Sequence, residues 1–239
     1  IVVARLNLKA LTFDVFGTVV DWRGSIAREG AVWGQERGLS LDWLALADAW
    51  RSLYQPAMER VRTGDVDWMN LDGLHRMNLN QLLADFNLND LGESELDHLN
   101  RMWHRLDPWP DSVTGMNRLK TKFTLAALSN GNVALIVNMA KRARIPWDTV
   151  LGAEIVGCYK PEPLAYSKSV KLLGINPSET LMVAAHNGDL VAASGIGLRT
   201  AFIRRPLEYG PSQSVDVDPT GDYDFVAENL VDLAEQLDC

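Results

Sequence analysis

KALTFDVFGTVVD, residues 9–21, decides how the rest of the chain is read. Its apolar run ends on Asp14 and passes into a turn that holds Gly17. That is the pattern of a buried strand followed by a tight turn. The same shape recurs in FTLAALSNGN (123–132) and in TLMVAAHNGD (180–189). RTAFIRR (199–205) and YDFVAE (223–228) read as further strands. Helical patterns lie between them, at VALIVNMAKRARI (133–145), EPLAYSKSVKLLG (162–174) and LVAASGIG (190–197).

Strands alternating with helices predict a parallel sheet covered on both faces, a doubly wound, Rossmann-like α/β core. Ligands of such sheets bind beyond the carboxyl ends of the strands. Asp14, Ser129, Asn130 and Asp189 all fall at such ends, so they are expected to meet in one crevice. Residues 21–107 read differently. Apolar residues there recur at helical spacing in 41–64, 71–88 and 93–106, with no strand signal. Pro56 should kink or restart the first of these helices. This block is expected to be a helical cap subdomain inserted into the core, with residues 1–20 and 108–239 forming the core itself. Seven of the eight tryptophans, including Trp22, Trp50 and Trp109, fall between positions 20 and 110, which marks an aromatic-rich module. The Pro-, Ser- and Asp-rich stretch 206–222 reads as a surface loop.

Composition sets the outer limits. The chain has 239 residues, 47% of them hydrophobic and 23% charged, enough for a core domain plus a smaller one. A net charge of −8 argues against a general affinity for nucleic acid or anionic membrane. A small anionic ligand would need local cations or backbone N–H groups. Cys158 and Cys239 show no metal-ligand spacing and read as reduced thiols of a cytoplasmic protein. The apolar N-terminus is too short and interrupted to span a bilayer and has no signal-peptide cleavage pattern. Its opening on Ile is what a trimmed start would leave.

An aspartate at the end of a strand can serve as a covalent nucleophile, or simply cap a turn. Four ordered motifs favour the first role. FDVFGT (13–18), LSNGN (128–132), YKPEPLAY (159–166) and the stretch from Met182 to Arg205 resemble the four motifs of the haloacid dehalogenase superfamily, across nearly the whole chain. The resemblance implies a nucleophilic Asp14, with Ser129, Asn130, Lys160, Tyr166 and Asp189 around it and a cap where 21–107 stands. Phosphatase members carry a second aspartate two residues after the nucleophile and a further acid before the last motif's aspartate. Here those positions are Phe16 and Ala184. An aromatic ring cannot protonate a leaving alkoxide, and a Mg²⁺ site needs several oxygen ligands. Halide leaves without protonation, and an aromatic residue after the nucleophile resembles the 2-haloacid dehalogenase branch. No metal or other cofactor is expected.

That branch also carries a Trp-Arg pair on its cap, matched by Trp50-Arg51. The resemblance implies that Arg51 holds departing halide, although it could instead pair with a substrate carboxylate. Ser129 and the turn around Val15, Phe16 and Thr18 are expected to hold that carboxylate. Asn130 is expected to cradle halide with Arg51, and Tyr166, Asn187 and Trp109 to line the pocket. Lys160 should keep Asp14 ionised, with Asp189 orienting it. His186 stands where the branch has asparagine. It could accept a proton from the hydrolytic water, donate to halide as a cation, or only fill a tighter pocket suited to haloacetates, fluoroacetate among them. The implied reaction turns a short 2-haloacid into a 2-hydroxy acid through an aspartyl ester. A phosphatase or phosphonatase, and an inactive scaffold, are the alternatives. Members of the branch are often homodimers, which an apolar, Trp-rich cap would permit. The remaining histidines, His75, His98 and His104, read as surface or packing residues, and Arg28, Arg37, Arg60 and Arg62 read as surface residues.

Overall fold

The computed structural model describes residues 7–239. Six residues of the apolar N-terminal stretch therefore lie outside the described residues, and within these no helix is long and apolar enough to cross a membrane. Eight strands run in chain order: β1 (Ala10–Phe13), β2 (Val20–Asp21), β3 (Asp107–Pro108), β4 (Thr124–Ser129), β5 (Thr149–Gly152), β6 (Thr180–Ala184), β7 (Arg199–Ile203) and β8 (Phe225–Ala227). Six form one sheet in the order β5-β4-β1-β6-β7-β8, with every neighbouring pair parallel.

Alternate residues of these strands enter different apolar clusters. Leu181 and Val183 join Leu11, Phe13, Leu125 and Ala127 on one face. Met182 and Ala184 join Leu128 and Phe202 on the other. Successive strand side chains point to opposite faces, so both faces are buried, which is why the segments read as unbroken apolar runs. The α/β core expected from the alternation is present. The short edge strand β5 was not anticipated, because TVLG is only half-buried and carries no run of its own. From β1 the sheet grows outward through β4 and β5 on one side and through β6, β7 and β8 on the other. The crevice beside the carboxyl end of β1 is thus the switch point where such sheets bind ligands.

β2 and β3 pair antiparallel, Val20 with Pro108 and Asp21 with Asp107. The chain between them is helical: Trp22–Gln35, Trp43–Ser52, Tyr54–Arg62, Leu71–Leu82 and Glu93–Asn100, followed by a 3₁₀ turn, Arg101–Arg105. Asp21, Asp42 and Asn70 cap three of them by accepting from the N–H groups of Gly24, Ala45 and Gly73. The helical stretch at 41–64 does break, at Leu53, and Pro56 sits in the first turn of the second piece, where its missing N–H costs nothing. The longest helix, Trp22–Gln35, escaped the periodicity. Two of its inward positions, Gly30 and Gly34, are filled by the Trp43 ring, and a Cβ on Gly30 would lie 2.2 Å from that ring. Tryptophans knit this region: Trp22 stacks on Trp103, which meets Trp50 edge-on.

The stretch 206–222 is more than a surface loop. Glu208 and Gly210 are buried, Asp216 and Asp218 hold Asn187, and the preceding Arg205 forms a buried bidentate pair with Asp111.

Candidate active site

Asp14 follows the last residue of β1 and is held from three sides. Its Oδ1 accepts from Lys160 Nζ at 3.0 Å. Its Oδ2 accepts from Thr18 Oγ1 at 2.7 Å and lies 3.0 Å from His186 Nδ1. Thr18 is itself fixed, because its hydroxyl oxygen accepts from the Ala185 N–H at 2.9 Å. Burial alone would raise the Asp14 carboxyl. The Lys160 charge and the His186 and Thr18 contacts overcome it and hold the group well below the usual carboxylate range.

Lys160 bridges two carboxylates, reaching Asp189 Oδ2 at 2.5 Å as well as Asp14. Burial disfavours its charge, but Asp14 and Asp189 together raise its pKa above the ordinary lysine value. Tyr166 donates its hydroxyl to Asp189 Oδ1, and burial and that carboxylate push the phenol far up, so it stays a donor. Burial and the nearby Asp14 charge raise Asp189 itself. Asp189 lies inside the helix Asn187–Gly195 and does not cap it. The cap position belongs to His186, and Asp216 Oδ1 accepts the Asn187 N–H at 2.9 Å.

His186 forms the opposite bridge. Its Nδ1 faces Asp14, and its Nε2 lies 2.9 and 3.1 Å from the two carboxylate oxygens of Glu208. Burial would lower its pKa, but Glu208 and Asp14 raise it well above 6.5, so the resting side chain is an imidazolium donating from both nitrogens. Glu208 also accepts from Trp22 Nε1 at 3.0 Å. Its carboxylate packs on Gly17, where φ is +84° and an added Cβ would fall 2.1 Å from Oε1. The glycine of the turn after Asp14 is therefore required twice, for backbone conformation and for the approach of Glu208. Sequence reasoning passed over Glu208. Its one signal was a lone acid in a stretch taken for a surface loop.

Asp14, Lys160, Tyr166, His186 and Asp189 line a cavity of about 710 Å³ together with Arg51, Tyr54, Asn130 and others, whereas Glu208 stands behind His186. The guanidinium of Arg51 lies 4.2 Å over the Tyr54 ring and 5.4 Å from the Trp22 ring. Its Nη1 is buried with no hydrogen-bond partner among the described residues. A desolvated cation with a vacant donor is a place for an anion. Asn130 reaches the wall, and its Oδ1 accepts from the Lys160 N–H at 2.8 Å.

Other expected residues are not on the wall. Ser129 is fully buried, and its hydroxyl accepts from the Gly131 N–H at 3.0 Å, so it shapes the loop that carries Asn130. Val15 is buried in the core, and Asn187 binds Asp216 and Asp218. Trp109 donates to the Gly17 carbonyl at 2.7 Å and braces the turn from behind. Arg62, expected at the surface, lines the cavity. His75 is buried against Trp103, and burial pushes its pKa down to about 3. His104 is tied to Asp72 and Asn138.

The donor set does not suit a hard divalent ion. Both oxygens of Asp14 are engaged by hydrogen-bond donors, and Phe16 and Ala184 supply no oxygen.

A family model described as haloacid dehalogenase-like hydrolase matches residues 8–197. The crystal structure of the L-2-haloacid dehalogenase PA0810 is 48% identical, with a TM-score of 0.94 over 97% of this chain and 99% of that one. That of the defluorinating L-2-haloacid dehalogenase Rha0230 is 46% identical, with a TM-score of 0.94 over 97% and 96%. The (S)-2-haloacid dehalogenase 4A of Burkholderia cepacia is 29% identical over 85% of this chain and 87% of its own. The family expected from the four motifs is thus met in sequence and in fold, and the chain belongs to the haloacid dehalogenase-like hydrolases.

Proposed function

We propose that this protein is a 2-haloacid dehalogenase in which Asp14 displaces halide from Cα of a short 2-haloalkanoic acid, without a metal ion. The carrying observation is an ionised, desolvated carboxylate facing a cavity whose wall also offers Arg51 with an unfilled donor. Backbone N–H groups of the turn after Asp14 hold the substrate carboxylate. An Asp14 oxygen attacks Cα opposite the halogen, and the C–X bond breaks as the ester bond forms. Halide emerges toward Arg51 and Asn130. His186 is poorly placed to receive it, because both its N–H groups point at carboxylates and one of these is the nucleophile on the opposite side of Cα. Water then attacks the Asp14 carbonyl carbon and releases a 2-hydroxy acid. The helical block 21–107 serves as the cap that brings Arg51 and Tyr54 over the core. The free thiols of Cys158 and Cys239 fit a cytoplasmic enzyme.

A single turnover with 2-chloropropionate in ¹⁸O-water tests this reading. Label should enter Asp14 and reach the product only in a later turnover, halide release should be unchanged by EDTA, and Asp14→Asn should release none. Label that passes straight into the first product would mean direct attack by water. Loss of activity on chelation would return the site to the metal-dependent members. A panel with chloroacetate and fluoroacetate settles the halogen range, and fluoride at background beside rapid chloride release removes fluoroacetate.

A further inference from the structure

The half-reaction that clears the ester needs a base, and the carboxylate on the Lys160 side, Asp189, has both oxygens taken up by Lys160 and Tyr166. Lys160 is buried between two carboxylates that keep it charged, and Tyr166 is held protonated by Asp189. Among the described residues, the only other ionisable group touching Asp14 is His186, which at rest is already protonated. We propose that Glu208 is a positioning residue that holds His186 with Nδ1 toward Asp14 and makes this imidazole the base of the hydrolytic step once Asp14 has become an ester. The proposal rests on the dehalogenase reading above.

At rest His186 lies between two anions, Asp14 and Glu208. Alkylation converts Asp14 into a neutral ester, so one of the two anions that keep the imidazole protonated disappears. The imidazolium then releases its Nδ1 proton to solvent, which is the one proton that conversion of R–X and water into R–OH and X⁻ must yield. Nδ1 is left within hydrogen-bond distance of the former carboxylate and so beside the carbon that water attacks. Water gives one proton to Nδ1 and its oxygen to Cγ. The second water proton passes to the departing alkoxide as the C–O ester bond breaks. Asp14 is again a carboxylate and His186 again a cation. Throughout, Glu208 keeps Nε2–H bound, which fixes the tautomer and strengthens Nδ1 as a base.

Glu208 is placed for this. It is 1% exposed, and Trp22 and the bare face of Gly17 set its carboxylate. Besides Asp14 and Glu208, the charged and titratable groups around His186 are Arg51 and Tyr209 from the cavity wall, with Lys160 and Asp189 beyond Asp14 and Asp216 on the helix cap.

Rapid-quench kinetics with 2-chloropropionate separates the two half-reactions, with halide reporting alkylation and intact-protein mass reporting the ester. In Glu208→Gln, alkylation should stay within about threefold of the parent while ester decay slows by roughly 100-fold. A burst of one halide per site should therefore precede slow turnover. Glu208→Asp should recover part of the decay rate. In the parent enzyme, ester decay should rise with pH through a single ionisation and then level, and in Glu208→Gln that ionisation should move to lower pH. Equal loss in both half-reactions, or none in either, would overturn the proposal. So would parent ester decay that is flat from about pH 5 to 9, a measurement that needs no variant to fold. A parent enzyme that forms no ester at all would take down the dehalogenase reading instead, and this proposal with it.

Discussion

Two carboxylate–cation–carboxylate bridges meet at Asp14, and they differ in one property. On one side Lys160 joins Asp14 to Asp189, and on the other His186 joins Asp14 to Glu208. Both bridges supply positive charge to a buried nucleophile. The ammonium, with its pKa raised by two anions, keeps its proton at every stage. The imidazole starts from an ordinary value near 6.5, so the loss of one anionic neighbour can bring it back into the working range. One bridge is therefore a fixed charge and the other is able to switch.

Removing the fixed charge should have the largest effect. In Lys160→Met, Asp14 and Asp189 are left as buried neighbours of like charge, and one of them takes up a proton. Halide release at pH 7 should fall by about 1,000-fold and recover in part as the pH is raised. The pH dependence of stability should also change. In the parent, the Asp14 carboxyl is depressed below its unfolded value of about 3.9, so its contribution is present above that pH and is lost as the pH falls. In the variant the carboxyl is raised, so lowering the pH from 7 to 5 should stabilise it, which urea unfolding at the two values reads directly. A variant whose stability stays level between pH 7 and 5 would mean that Asp14 does not depend on Lys160.

The two bridges also differ in how far they can be read from the chain. Asp14 and Asp189 stand within a few residues of a strand end and Lys160 stands beside Pro161, each inside one of the four motifs, so strand pattern and motif order bring them together. Glu208 lies as near a strand end as Asp189 but belongs to none of the four motifs. It follows β7 in a stretch rich in proline and serine, and its burial depends on Trp22 and Gly17, more than 180 residues earlier in the chain. Ser129 shows the opposite failure. Its motif position was right, but local hydrogen bonding turned its hydroxyl to its own loop. Period and spacing report local structure, whereas the partners of a buried acid are set by tertiary contact. The helix Trp22–Gln35 was missed for a related reason, since two positions of its inner face are glycines and the ring that fills them belongs to Trp43.

Arg51, a third cation that pairs with neither bridge, should show the next largest effect. Arg51→Lys keeps the charge but loses the planar contact over Tyr54 and the fork that carries the vacant Nη1. A loss of roughly 10- to 100-fold in kcat/KM for chloroacetate is expected, with the two bridges and the acid stability unchanged. A loss below about twofold would put the halide elsewhere.

Gly17→Ala probes the second bridge without touching its titratable groups. The new methyl meets both a left-handed backbone and the Glu208 carboxylate. Unfolding free energy should fall by about 1–3 kcal/mol. Turnover should fall more than alkylation, because what is displaced is Glu208 and, through it, His186. Equal loss in both would mean that the turn itself, which also carries Thr18, had moved.

The smallest effect belongs to the His186 bridge at rest and shows only in the pH dependence of stability. Its folded pKa lies above the unfolded value of about 6.5. The stabilisation it contributes is therefore complete below about pH 6.5 and is lost as the pH rises through the folded value. The parent should lose stability across the alkaline range, whereas His186→Asn, which can still bond to Glu208 but cannot take up charge, should lose that part of the slope. This is opposite in sign to the acid-side behaviour of Asp14, so one series of unfolding curves from acid to alkali reads both bridges. If the alkaline slope survives His186→Asn unchanged, the imidazole is neutral at rest and the two bridges are not the matched pair that their geometry implies.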